Sequence, residues 1–403
     1  MKRRELRTFW NSNGLWTNSG YAVEMQQLLP RLAADGWPIA HCAFWGLQGF
    51  PVELKDYPNI KVYPKMNDDW GADAMLYHSQ DFKAHAVMSF QDTWPLQPQF
   101  LQKLPVWIPW LPVDKSPAPQ GVLNNLKYAY KIVTFSRFGQ KELEKKGFSS
   151  TLILEGTDTE IFKPMDKVQA RRELSLPQDA FIFGMVAANK ENPPRKGFQE
   201  ALEAFKLFHD KHPEAAMFFQ VHQPAPTGFP IQGYAQHLGI QNRMFYTNDY
   251  VAVYGGGSKF INKLHNAFDV LLHPSQTEGF GLTIVEAGAS GTPVIVNNCT
   301  SMPELVVEGV TGAICNTGKP RWGNDNAFTF PADPQSLYEK MEQVYEMVKK
   351  DEEKVSKDCR DHIVKNYNIE ETTKQWIKVL EELQDELIPL TPTSQSSSMI
   401  STK

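Results

Sequence analysis

Short apolar runs alternate with stretches of helical periodicity along almost the whole chain. This alternation is typical of parallel β-sheets whose strands are joined by crossover helices, so the predicted fold class is α/β. In the first half the predicted strands are Leu6–Trp10, Ile39–Trp45, Ile60–Tyr63, Ala74–Tyr77, Ala86–Phe90, Val106–Trp110, Ile132–Phe135 and Leu152–Leu154. The helices predicted there are Tyr21–Ala34, Leu123–Tyr130 and Phe138–Lys146.

The pattern breaks near residues 158–167, and a second series of strands and helices begins. Its predicted strands are Phe181–Ala187, Ala216–Val221, Met244–Tyr246, Val270–Leu272, Pro293–Val296 and Ala313–Cys315. Its predicted helices are Phe198–His209, Ile231–Leu238, Ile261–Ala267, Leu282–Ala289, Gln335–Val348 and Ile369–Leu387. Because 403 residues exceed one ordinary core, we predict two doubly wound domains, residues 1–160 and 161–368. Their sheets would face a central cleft with their carboxyl ends, where open α/β sheets bind ligands.

Composition narrows the possible classes of protein. With a net charge of −5 the chain has no basic field to recruit nucleic acid. No apolar run approaches the ~20 residues of a membrane-spanning helix, and no signal-peptide core follows the N-terminus. The four cysteines are scattered and indicate neither a zinc site nor a disulfide framework. We therefore expect a cytoplasmic protein, with peripheral membrane contact left open.

The strongest chemical signal lies between His273 and Leu305. Glu278 stands in a predicted loop, and Glu286 follows eight residues later, about one turn into a predicted helix. Between them Phe280 and Gly281 leave backbone amides open at the helix N-terminus, which suits a phosphate or another anion. For the two glutamates alone, the alternative is an ordinary loop–helix–strand unit with carboxylates facing solvent.

The sequences EGFG and EA, followed by GTPVI and PEL, resemble the donor-binding motif of retaining nucleotide-sugar glycosyltransferases of family 4. The resemblance implies the GT-B fold, in which two Rossmann-like domains face a central cleft. Residues 1–160 would form the acceptor-side domain, and residues 161–368 the domain that binds the nucleotide sugar. Residues 369–389 would cross back to the first domain as a helix. The Ser/Thr-rich residues 390–403 are predicted to be a disordered tail.

The same resemblance assigns roles within the motif. Glu286 would accept hydrogen bonds from the two hydroxyls of the donor ribose. Glu278 would act as a catalytic residue by orienting the transferred sugar. The amides of Phe280 and Gly281 would bind the donor diphosphate.

A glycine-containing loop after the first predicted strand resembles the N-terminal loop of the family. Gly14, Ser19 and Gly20 are its candidates for approaching the donor diphosphate. The alternative is a plain strand–helix turn in which Ser19 caps the helix.

A basic segment between Lys190 and Phe198 resembles a second diphosphate-binding loop. Family members often carry an Arg and a Lys six residues apart here, and this chain has Lys190 and Lys196. Lys190 keeps the charge but not the bidentate fork of an arginine. Lys196 is also a catalytic candidate, since it would stabilise the leaving group, whereas Arg195 is expected to face solvent or an acceptor. The alternative is a solvated basic turn.

Asp92 and Asp114 follow two consecutive predicted strands of the first domain. Many relatives have a His near the transferred sugar at this level, which this chain lacks. Asp92 is the first candidate for the catalytic polar group there, and His85 and His78 are weaker candidates. A helix cap is the alternative for an Asp after a strand.

Two further groups stand near these candidates in the sequence. Glu155 opens the sequence EGTD, where the family usually reads Asn-Gly-x-Asp, and it is predicted to lie in a linker turn. Trp94, Trp107 and Trp110 would form either a sugar-stacking platform or part of the core, and the core is favoured.

The predicted function is transfer of a sugar from a nucleoside diphosphate sugar to a hydroxyl with retention of anomeric configuration. The acceptor would be a carbohydrate, a lipid-linked or another hydroxyl compound. No cofactor is expected, and no metal either, because the chain contains no D-x-D triplet to hold a diphosphate-bound cation. Two alternatives stay open: a catalytically silent sugar-nucleotide-binding subunit, and a nucleotide-sugar epimerase of the same fold. A phosphorylase would need a pyridoxal phosphate lysine, and none is recognised.

Overall fold

The computed structural model describes residues 4–221, 227–254 and 256–388. They form two α/β domains, each built on one large sheet flanked by helices. The tail predicted to be disordered, residues 390–403, lies outside the described residues.

The first domain contains an eight-stranded sheet in the order β3-β4-β2-β1-β5-β6-β7-β8. Its strands pair in parallel, except that β3 pairs antiparallel with β4. The strands are β1 (Thr8–Asn13), β2 (Ile39–Trp45), β3 (Val52–Leu54), β4 (Tyr57–Pro64), β5 (Ala86–Phe90), β6 (Trp107–Leu111), β7 (Val133–Thr134) and β8 (Thr151–Leu152). The helices are α1 (Gly20–Ala34), α2 (Ala72–Phe82), α3 (Pro98–Leu101), α4 (Gln120–Leu126) and α5 (Arg137–Glu144).

The second domain contains a six-stranded parallel sheet in the order β11-β10-β9-β12-β13-β14. Its strands are β9 (Ile182–Val186), β10 (Ala216–Gln220), β11 (Met244–Tyr246), β12 (Val270–His273), β13 (Val294–Asn297) and β14 (Gly312–Cys315). A small hairpin adds β15 (Arg321–Trp322) and β16 (Phe328–Thr329). The helices are α6 (Lys167–Glu173), α7 (Phe198–Lys211), α8 (Ile231–His237), α9 (Asp249–Tyr254), α10 (Gly257–Ala267), α11 (Leu282–Ala289), α12 (Pro334–Lys350), α13 (Glu352–Asn366) and α14 (Ile369–Leu387).

Strand order reverses once in each sheet. The chain leaves β1 towards β2 on one side and later returns to β5 on the other side, and β9 is flanked in the same way by β10 and β12. Open α/β sheets bind ligands beside the carboxyl ends of strands at such switch points. The two switch points therefore mark where the cleft can hold a ligand.

The predicted strand Ala74–Tyr77 is wrong, because these residues lie inside helix α2. At the start of the helix, the Asp68 carboxylate accepts a hydrogen bond of 3.0 Å from the Ala72 amide. The side chains that α2 buries, among them Met75 and Ser79, recur at helical spacing. A four-residue apolar run does not distinguish a strand from a buried helical turn, and here the capping carboxylate and the buried face favour the helix.

The C-terminal helix α14 packs against the first domain. The Trp376 ring lies 4.9 Å from the Trp10 ring and 5.3 Å from the Trp110 ring, measured between centroids. The Arg4 guanidinium lies 2.6 Å from the Glu381 carboxylate. An aromatic cluster on the first sheet, together with this ion pair, thus joins the two ends of the described chain.

Within the described ranges, no helix is both long enough and apolar enough to span a membrane.

Candidate active site

Loops from the two domains meet across the cleft at the carboxyl ends of the strands. A Cβ built on Gly20, at the start of α1, would lie 3.5 Å from Leu282 Cδ1, at the start of α11. The Thr277 hydroxyl lies 3.4 Å from the Asp114 carboxylate. The start of α1 and the loop after β6 in the first domain therefore face the loop between β12 and α11 in the second domain.

The loop between β12 and α11 is held in a conformation that opens the start of the helix. Gly281 precedes α11 with φ +125°, and no side chain of the described residues caps this helix. The Ser301 hydroxyl lies within hydrogen-bond distance of the Glu278 and Phe280 carbonyls, at 2.9 Å and 2.7 Å. The first amides of α11 thus point, uncapped, from a fixed loop, which suits an anion.

Lys196 reaches the same loop from the neighbouring β9–α7 connection. Gly197 has φ +72°, and a Cβ there would lie 2.2 Å from the Pro274 carbonyl oxygen, so the backbone can pass only because the residue is glycine. This close approach brings the Lys196 ammonium into an ion pair with Glu278. The structure therefore joins two residues that the sequence separates by 82 positions.

Glu278 is surrounded by cationic and donor groups. Besides Lys196, the His273 Nε2 atom lies 3.0 Å from its carboxylate, and the Arg195 guanidinium lies 3.8 Å away. Burial opposes ionisation, but Lys196, His273 and Arg195 outweigh it and hold the pKa of Glu278 well below its usual range. Glu278 is therefore a fixed negative charge, able to accept hydrogen bonds from sugar hydroxyls.

Glu286 lies one turn into α11 and is buried, with 6% of its surface exposed. The Nε2 atom of His265 lies 3.8 Å from its carboxylate. Neither ring nitrogen of the fully buried His265 has a hydrogen-bond partner among the described residues. A carboxylate in this setting keeps its acceptor capacity for a ligand, as the predicted contact with the donor ribose requires.

Two of the other predicted diphosphate-binding residues, Ser19 and Lys190, have contacts of their own. The Ser19 hydroxyl accepts the Ala22 amide at 3.1 Å, so it caps α1 as the alternative interpretation stated. Lys190 is exposed, and its ammonium lies 5.8 Å from the centre of the Trp45 ring, outside the group around Glu278. The roles predicted for Gly14, Ser19, Gly20 and Lys190 stay predictions.

On the first domain, Asp92 follows β5 and accepts a hydrogen bond from the Tyr21 hydroxyl at 3.0 Å. Burial, and then the charge of Asp114, raise the pKa of Asp92. His85 is not a candidate for the same site, because it precedes β5 and its Nδ1 accepts the Arg7 amide at 2.9 Å, at the other end of the sheet. The other weaker candidate, His78, lies in α2, where its ring centroid is 4.8 Å from that of Tyr63.

The three tryptophans divide into two groups. Trp107 and Trp110 are fully buried core residues, which confirms the interpretation that the sequence favoured. For Trp94 the core interpretation is wrong, since 56% of its surface is exposed.

Two buried carboxyl groups that no sequence motif indicated lie near the site. Glu24 of α1 and Glu155, which was predicted to lie in a linker turn, are 0% and 5% exposed. Burial raises the pKa of both carboxyls well above the usual range, and the charge of Glu24 raises that of Glu155 further. Glu278 and Glu286 act on Glu155 in the same direction, so the pair lies close to the predicted donor site. Sequence reasoning missed it because Glu24 occupies an ordinary helical position.

Replacing Glu155 by glutamine should stabilise the protein at pH 8. Since the folded-state pKa is raised, the wild-type carboxyl costs stability as pH rises above the unfolded value of about 4.3. Glutamine avoids this cost, so the melting temperature should rise by about 2 °C or more, the shift expected for roughly 1 kcal/mol. The gain should shrink as the pH falls towards 4, where the wild-type carboxyl is protonated in the folded state and increasingly protonated in the unfolded state. A melting temperature at pH 8 that is unchanged or lower, relative to the exposed control Glu353→Gln, would contradict this ionisation cost.

Part of the chain is similar in sequence to known proteins. Residues 166–360 match the family model described as glycosyl transferases group 1. D-inositol 3-phosphate glycosyltransferases of Corynebacterium glutamicum (strain R) and Mycolicibacterium gilvum (strain PYR-GCK) are 28% and 30% identical over 198 and 191 residues. These matches cover 46% and 45% of this chain and 44% and 39% of the relatives. The chain thus spans less than half of the length of these curated relatives.

Solved structures resemble almost the whole chain. Sucrose-phosphate synthase from Thermosynechococcus elongatus has a TM-score of 0.74 at 18% identity, and the match covers 95% of this chain and 100% of that one. Anabaena HepE in complex with UDP-glucose has a TM-score of 0.68 at 15% identity, with coverage of 94% and 100%. At such identities the likeness defines the fold alone. That fold is GT-B, two Rossmann-like domains around a cleft, as the sequence predicted.

Proposed function

We propose that this protein is a glycosyltransferase that moves a sugar from a nucleoside diphosphate sugar to an acceptor hydroxyl with retention of anomeric configuration. The observation that carries the proposal is the pairing of Lys196 with Glu278 beside the uncapped start of α11, with Glu286 one turn further on. The match of residues 166–360 to glycosyl transferases group 1 supports it. So does the likeness to HepE, whose structure was determined with UDP-glucose.

The arrangement suits a diphosphate leaving group. As the bond between the anomeric carbon and the diphosphate breaks, negative charge builds on the leaving oxygen. Lys196 and the first amides of α11 would stabilise that charge from fixed positions, without a metal ion. Glu278 keeps its own charge throughout, because its pKa is held low, and would orient the sugar hydroxyls. Glu286 would accept hydrogen bonds from the ribose diol.

Retention follows in this proposal from attack on the face that the leaving group vacates. The anomeric carbon becomes oxocarbenium-like, as in glycoside hydrolysis. The acceptor hydroxyl then bonds to that carbon while its proton passes to the departing phosphate oxygen. No protein base is needed for this step, and Asp92 would serve on the acceptor side by holding hydroxyls.

The first experiment identifies the donor and follows its fate. A thermal-shift screen of nucleoside diphosphate sugars should find one that stabilises the protein, by about 2.7 kcal/mol at 100 times its dissociation constant. Proton NMR of the early transfer product should then show the anomeric configuration of that donor. An inverted product would contradict the proposed stereochemistry.

Two other outcomes would favour the open alternatives. Donor binding without transfer or hydrolysis would indicate a silent sugar-nucleotide-binding subunit. Conversion of the donor into its epimer would indicate an epimerase. The names of the curated relatives make D-inositol 3-phosphate one acceptor to include in the screen.

A further inference from the structure

The loop after β5 presents an aromatic side chain that packing in the core does not use. Trp94 is 56% exposed, and its ring centroid lies 5.7 Å from that of Trp70. Helix α4 holds the loop in place, since Asn125 Nδ2 donates hydrogen bonds of 2.8 Å to the Thr93 and Leu96 carbonyls. Trp94 is thus an exposed ring on a fixed loop, only two residues beyond Asp92.

The surroundings of Asp92 are acidic. Burial, and then the charge of Asp114, which follows the adjacent strand β6, raise the pKa of Asp92, whereas the charge of Arg195 lowers it. Arg195 is already engaged, because its guanidinium donates to the Thr277 carbonyl at 2.7 Å and faces the Glu278 carboxylate. Lys115, the next residue after Asp114, is paired with Asp325.

This charge distribution disfavours one class of acceptor. A phosphorylated acceptor would bring a dianion against two carboxylates, and the neighbouring cations already have anionic partners. A neutral polyol meets no such repulsion, since carboxylates accept hydrogen bonds from hydroxyls. The exposed indole of Trp94, two residues along the same loop, offers a flat apolar surface to the C–H face of a sugar ring.

We propose that the loop after β5 is an acceptor subsite for a neutral saccharide, in which Trp94 stacks on the sugar ring and Asp92 accepts hydrogen bonds from its hydroxyls. The inference rests on the proposed glycosyltransferase function and narrows it to one acceptor class. Trp94 and Asp92 are the residues that set this specificity.

The test compares neutral acceptors with their monophosphates, using the donor found by thermal shift. The panel contains methyl glucoside, maltose and myo-inositol, together with glucose 6-phosphate and inositol 3-phosphate. Wild-type protein should give the highest kcat/KM with a neutral saccharide. Trp94→Ala should raise the KM for that acceptor by about tenfold or more while the donor dissociation constant stays unchanged. Tyr77→Ala, which removes an exposed ring from α2, is the matched control and should change neither value.

Asp92→Asn separates the charge from the shape of the subsite. It should narrow the gap in kcat/KM between neutral and phosphorylated acceptors, because it removes one repelling carboxylate. The subsite is overturned if wild-type protein prefers the monophosphates, or if Trp94→Ala leaves the acceptor KM unchanged. Calorimetry with the donor separates a failure of the proposed function from a failure of this inference. A protein that binds no donor would contradict the proposed glycosyltransferase function. A protein that binds and turns over the donor, but prefers phosphorylated acceptors, would contradict only the proposed subsite.

Discussion

Lys196→Ala should lower kcat for sugar transfer by on the order of 100-fold or more, comparable to losing one preorganised donor to a developing oxyanion. The reason is positional: Gly197 lets the chain pass against Pro274, which holds the Lys196 ammonium beside Glu278 and the start of α11. Stopped assays at saturating donor would measure the loss. Lys206→Ala, on the exposed face of α7, is the matched control and should leave kcat unchanged, since Lys206 only pairs with Asp210 at the surface.

Removing Lys196 also leaves Glu278 with one cation fewer, so folding must be checked separately. Lys196→Met keeps the methylene chain and should show the same loss of kcat, while its melting temperature measures the cost of leaving the buried Glu278 carboxylate with one cation fewer. A loss of activity that tracks only the melting temperature would mean that Lys196 has a structural role.

Because Lys196 and the start of α11 would stabilise the leaving group, transfer should be independent of divalent cations. Wild-type activity should persist in excess EDTA, and added Mg²⁺ should not rescue Lys196→Ala, because fixed cations do the electrostatic work that a metal does elsewhere. Activity that EDTA abolishes and Mg²⁺ restores would show that the lysine-based stabilisation of the leaving group is wrong.

Glu286→Gln should weaken donor binding by about tenfold or more, since each hydrogen bond to a charged group contributes roughly 1.5–3 kcal/mol. The substitution keeps the shape of the side chain, removes the charge and turns one acceptor into a donor. Because no hydrogen bond to the Glu286 carboxylate is recorded within the described part of the chain, the native contacts should survive the change.

Calorimetry with the donor, and with the nucleoside diphosphate alone, measures the effect on the ribose contact. Both ligands should lose affinity to the same degree, because both carry the ribose. Glu353→Gln, exposed on α13, is the control for the loss of one negative charge. Unchanged affinity in Glu286→Gln would remove this residue from the site.

Some elements could be predicted because the signal is local. The predicted bounds of α11, β2 and β5 are confirmed at both ends. Each of these segments shows a single hydrophobic pattern with clear boundaries in the sequence. Helix α13 was not predicted: it buries only Val355, Cys359 and Ile363, a stripe too narrow to stand out from its charged residues. It forms a helix here because this stripe packs on α11, where a Cβ on Gly288 would lie 2.7 Å from Ile363.

The α/β class, the two series of strands and the position of the glutamate motif could be predicted from local patterns, because periodicity and spacing are properties of neighbouring residues. Which charges meet could not be predicted in this way. The folded chain pairs Lys196 with Glu278, places Lys190 over the Trp45 ring, and buries Glu24 and Glu155. Pairing and burial depend on the order of strands in each sheet and on how the domains face each other. Those are long-range arrangements that a local pattern does not encode.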